Sequence, residues 1–140
     1  MMIQGMLISR RVFAQVGLFD PELFASDFDF LLRMASRGVR FAQVPDVTAL
    51  HRVTRTQPSR QHLKSGLSSH LAIARRHARS LTEYRRAAAR FYVETAFNTI
   101  HYGYVADAVT CIARACLTAP LATARIVASR IRGRLQRSPG

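Results

Sequence analysis

Apolar positions follow two different periods along this chain, and the change falls near residue 60. Before it, short apolar runs alternate with turn residues. Met2 to Ile8 reads as a buried strand, Val39 to Val44 alternates well enough for a second that Pro45 ends, and Val47 to Val53 makes a third. Two helices punctuate these runs. Ser9 is placed to cap one that runs through Val16 and stops at Gly17, and an amphipathic one spans Ser26 to Ser36 with Gly38 as its stop. Thr54 to Gly66 is polar and holds Pro58, Ser59 and Ser65, which marks a boundary between two units, residues 1–60 and 61–140.

From Leu67 onward the pattern is helical. Leu67, Leu71 and Ala74 share one face. Thr82 to His101 repeats Ala87/Ala88, Phe91, Thr95/Ala96 and Ile100 at helical spacing, and Gly103 breaks it. Val105 to Leu117 carries Val105, Val109, Ile112 and Cys116, with Pro120 after its end. Leu121 to Leu135 places Leu121, Ala124, Ala128, Ile131 and Leu135 near heptad spacing. The fold class expected is therefore α/β, a mixed sheet with helices, followed by an α-helical C-terminal unit.

Charge changes this picture in the second unit. The 140 residues carry a net charge of +13, of which residues 61–140, with twelve arginines and Lys64 against Glu83, Glu94 and Asp107, supply +10. Arg125, Arg130, Arg132, Arg134 and Arg137 make the last helix basic beside its apolar face. A basic amphipathic helix points to peripheral contact of residues 121–137 with anionic lipid. The plainer alternative is a packed terminal helix with a solvated Arg-rich tail. Arginine is used almost to the exclusion of lysine, which a GC-rich coding background explains as readily as selection for phosphate binding.

No run approaches the ~20 uninterrupted apolar residues of a membrane span, and no secretion signal is read at the start. Cys111 and Cys116, five apart on a helix, point to different faces and read as buried reduced thiols, so the expected location is cytoplasmic, at the inner membrane face if the last helix binds lipid. His51, His62, His70, His77 and His101 show no ligand spacing, and no metal site is assigned to them. Tyr84, Tyr92, Tyr102 and Tyr104 lie near arginines without any nucleic-acid motif, and they read as packing aromatics rather than a nucleic-acid surface.

The densest candidate chemistry lies in Gly17 to Arg33, GLFDPELFASDFDFLLR. Asp27 and Asp29 sit in the first turn of the Ser26–Ser36 helix, beside the positive end of its dipole, where negative charge is favoured. Ser26 and Asp29 have the spacing of a capping box, a device worth about 1 kcal/mol that needs no chemistry. Asp27 is not needed for the box, so its side chain is free to point into a cleft. Arg33, one turn after Asp29, reads as a solvated or ion-paired helix arginine.

On these residues the stretch from Gly5 to Ser59 resembles the C-terminal part of the catalytic domain of family 2 glycosyltransferases. The likeness runs from Arg10-Arg11 through Gly17-Leu18-Phe19-Asp20, Asp27, Asp29 and Leu32-Arg33 to His51-Arg52. Ser26 stands where that family has Glu, His51 where it has Tyr, and Thr54 where it has His. The resemblance implies a GT-A fold and an inverting sugar transfer from a nucleotide-sugar to a glycan or lipid-linked acceptor. It implies Asp27 as base, Asp29 and Arg33 as acceptor-side or orienting residues, and Arg52 and His51 as diphosphate contacts. Mg²⁺ or Mn²⁺ is the implied cofactor. Nothing upstream of Gly5 supplies the donor-binding half, so the chain is expected to be a fragment or one half of a split enzyme. The alternative is a non-catalytic module that binds a protein or membrane partner through its helical half.

Overall fold

The computed structural model describes residues 5–42, 45, 63–101 and 103–135. Among them the regular structure is helical: α1 (Arg10–Val16), α2 (Ser26–Ser36), α3 (Leu63–His77), α4 (Leu81–His101), α5 (Val105–Thr118) and α6 (Pro120–Leu135). The chain divides into two compact units, residues 1–62 and 63–140.

The mixed α/β sheet expected for the first unit is corrected by this structure, because no strand occurs among the described residues. Met6 to Ile8 and Val39 to Ala42 are extended or irregular, without a ladder partner. A short apolar run looks the same in sequence whether it pairs in a sheet or covers a core as loop. Here it does the latter: Met6, Ile8 and Val39 pack on a small core of Val16, Phe30 and Met34. The strand expected over Val47 to Val53 lies outside the described residues, as do Val44 and the first residues of the Met2–Ile8 run.

Side-chain capping starts α1, and a glycine closes α2. Ser9 keeps an extended backbone, and its hydroxyl accepts the Arg11 N–H at 3.3 Å. Between the helices Asp20 builds an Asx turn, its Oδ1 accepting from Glu22 N at 3.0 Å. α2 ends on Gly38 at φ +71°, with Gly38 N bonded to the Ala35 carbonyl and Val39 N to the Met34 carbonyl. That pair of bonds is a Schellman closure, and it delivers Val39 onto the Met34 core. Phe13, Phe19 and Phe30 stack on one another with ring centroids 4.6–6.1 Å apart.

In the second unit α4 is the hub. It packs against α3, α5 and α6, most extensively against α5. On its buried face Ala89, Val93 and Ala96 meet Ala108, Cys111 and Ala115 of α5, and Ala88 is buried as well. Small side chains let the two helix backbones approach closely. α6 is tied to α4 by the Glu94–Arg130 ion pair, with the Arg130 guanidinium 5.1 Å from the Phe97 ring centroid. Buried Thr99 and Thr123 each donate their hydroxyl to a carbonyl of their own chain, so neither burial leaves a polar group unsatisfied.

Candidate functional site

Asp27, Asp29 and Arg33 all lie on α2, but they face different tasks. The helix takes Ala25 as its N-cap and places Ser26 inside its first turn, with no side-chain cap bond from residue 25. Ser26 therefore lacks the non-helical backbone that an N-cap hydroxyl needs, and the expected Ser26–Asp29 box does not form. Asp27 stands in its place near the helix start, its Oδ1 accepting from Phe28 N at 2.8 Å.

Asp29 is fully buried and accepts from Arg33 Nε at 2.8 Å, one turn along the helix. The same guanidinium donates from Nη1 to the Val16 carbonyl and from Nη2 to the Leu18 carbonyl, both at 2.7 Å. Its Cζ lies 5.2 Å from the Phe30 ring centroid. Arg37 adds a second bond to the Val16 carbonyl at 2.8 Å. Two cations thus close the C-terminal end of α1, where the helix dipole is negative. Gly17 holds the corner at φ +89°, a backbone conformation that residues with a Cβ rarely adopt. The Asp29–Arg33 pair is a clamp joining α2 to the Val16–Leu18 corner. Arg37 was not singled out by sequence, because its acceptor is a backbone carbonyl. His51 and Arg52 lie outside the described residues.

The second unit holds an open cleft of about 530 Å³ lined by Arg75, Ala78, Arg79, Ser80, Leu81 and Tyr84. A local capping arrangement occupies part of its rim. Ser80 Oγ accepts from Glu83 N at 3.1 Å, and Glu83 Oε2 accepts from Arg79 N at 2.8 Å. His70 lies against Phe91 with centroids 4.8 Å apart and its Nδ1 2.6 Å from the Gly66 carbonyl. Among the described residues no group of His, Cys, Asp and Glu side chains is arranged to hold a metal ion.

What the second unit does display is apolar surface. α5 buries Ala108, Cys111 and Ala115; of the expected Val105, Val109, Ile112 and Cys116, Ile112 packs on the core and the other three are exposed. α6 buries Thr123 and packs Ile126 and Val127 inward, leaving Leu121, Ala124, Ala128 and Ile131 outside. Arg125 and Arg132 share that exposed side. Among the described residues no helix is long and apolar enough to cross a membrane.

Comparison of the chain with models of known protein families, with curated proteins and with solved structures finds no match. The resemblance of Gly5 to Ser59 to family 2 glycosyltransferases is corrected accordingly. No family model or relative carries it, and the described residues form helices with no strand where a GT-A domain requires a sheet.

Proposed function

We propose that the chain is an interaction module whose helical unit, residues 63–140, docks on an anionic membrane surface. The observation that carries this reading is the outward face of α6. Leu121, Ala124, Ala128 and Ile131 form an apolar flank at helical spacing, and Arg125 and Arg132 form a basic flank beside it. A helix that only packed would turn that apolar flank inward. Charge complementarity names the occupant: residues 61–140 carry +10, and the cytoplasmic leaflet and similar surfaces are negative. This reading places the protein at the inner face of the membrane.

The magnitudes describe reversible binding. An arginine near an anionic surface contributes about 1 kcal/mol, and fully burying a leucine or isoleucine side chain about 1.5–3 kcal/mol. Neither set suffices alone against the cost of association. The double variant Arg125→Glu/Arg132→Glu tests the charged half of the argument. Both side chains are exposed, so the helical circular dichroism should stay unchanged. Partition onto phosphatidylglycerol-containing vesicles should fall about tenfold or more. Unchanged partition would contradict the reading.

A further inference from the structure

Resting on that reading, we infer that the α5–α6 corner, with Leu117 and Leu121 at its tip, is the part that enters the acyl region of the bilayer. Among the described residues these two are the most exposed large apolar side chains of the second unit, at 86% and 77%. They stand four residues apart on either side of a junction only one residue long, since α5 ends at Thr118 and α6 begins at Pro120. Arg114 precedes Leu117 by about one helical turn and Arg125 follows Leu121 by one. Long arginine stems at those positions can rest on apolar surface while their guanidinium groups reach the lipid phosphates.

The corner's backbone is partly closed on itself. Entry into hydrocarbon is barred to chain segments with unsatisfied N–H and C=O groups. Here the Thr118 hydroxyl donates to the Arg114 carbonyl at 2.6 Å, and Ala119 N donates to the Ala115 carbonyl at 3.0 Å. The Ala119 carbonyl accepts twice, from Thr123 N at 2.9 Å and from the Thr123 hydroxyl at 3.0 Å. Pro120 has no N–H to satisfy and sits at the helix position that suits it. These bonds leave fewer helix-end groups to be met by headgroups and interfacial water when the leucines enter.

A second copy of the chain is a poorer occupant for the same tip. A self-complementary pairing would bring two like-charged units together, Arg114 and Arg125 included.

The chain contains no tryptophan, so a single one reports on one position. Leu117→Trp, Leu121→Trp and Val105→Trp are each made in the full chain. Val105 is exposed at the far end of α5, about 18 Å along the helix from Leu117. With phosphatidylcholine–phosphatidylglycerol vesicles, emission of the 117 and 121 variants should shift to the blue. Brominated acyl chains should quench them at least about twofold more than the 105 variant. Co-sedimentation is measured on the same samples. Sedimentation without quenching at 117 and 121 overturns the corner and leaves the docking reading standing. Absent sedimentation overturns both. A blue shift without lipid that grows with protein concentration identifies self-association at the corner and overturns the inference. A Leu117→Ser/Leu121→Ser variant checks the corner without a fluorophore: its partition should fall about tenfold or more with its circular dichroism retained, and full partition would overturn the inference.

Discussion

The residue that explains most of the first unit is Arg33, which reaches a buried carboxylate, two backbone carbonyls and an aromatic face. Removing one member of a buried pair costs more than the pair itself is worth, because the other charge is left uncompensated. Asp29→Ala should therefore lower stability by about 2–3 kcal/mol by denaturant titration, toward the lower end because 19% of the Arg33 side chain stays exposed. Arg33→Lys should lose much of that stability too, since an ammonium cannot span Asp29, Val16 and Leu18 with a planar fork. The Asp29–Arg33 spacing was legible as a helical i, i+4 pair. Its carbonyl acceptors were not, because a backbone oxygen carries no sequence signature. Ser26 illustrates the smallest kind of misreading: the helix spans Ser26–Ser36 as expected, but Ser26 is its first helical residue, so the N-cap falls on Ala25 and the hydroxyl has no capping role. The two cysteines separate at this scale as well. Burial pushes the Cys111 thiol up, with Arg114 opposing the rise and Asp107 adding to it. A raised thiol is less ionised at any given pH, and the thiolate is the reactive form. In native protein, alkylation should therefore label exposed Cys116 first, Cys111 following only on unfolding; equal rates would contradict the packing of α5 on α4.

At the scale of elements, helix existence was easier to read than helix orientation. The extents of α1 and α2 follow from Ser9, Gly17 and Gly38, whose chemistry is local. The inward faces of α5 and α6 depend on a partner, and α5 carries two apolar stripes that compete for it. The smaller one wins, because α4 offers Ala89 and Ala96 and close approach rewards Ala108 and Ala115 more than the bulkier Val105 and Val109. This packing predicts opposite responses to two substitutions. Ala115→Leu should overpack the α4–α5 contact and cost about 1–3 kcal/mol. Leu121→Ser should change stability by no more than about 0.5 kcal/mol, since the residue is surface. Thermal melts of the two variants decide between the observed faces and the heptad seam suggested by Leu121, Ala124, Ala128 and Ile131.

For the whole molecule, the short apolar runs before residue 60 pointed to an α/β sheet, and the described residues hold none. Strand character is a property of a pair, and a single run of Met6–Ile8 length cannot say whether a neighbour exists. The helical character of the second unit was legible because its periodicity is sustained over four consecutive segments. Its excess of positive charge was equally plain, while the surface that gives this charge a use emerged only from which apolar residues face out. The most direct test is the partition of the full chain onto vesicles of phosphatidylcholine alone and of phosphatidylcholine mixed with phosphatidylglycerol, as salt rises from about 0.1 to about 0.5 M. Membrane docking predicts binding to the mixed vesicles that weakens steeply with salt, and little to the neutral ones. Equal binding to both, or binding to neither, would contradict it.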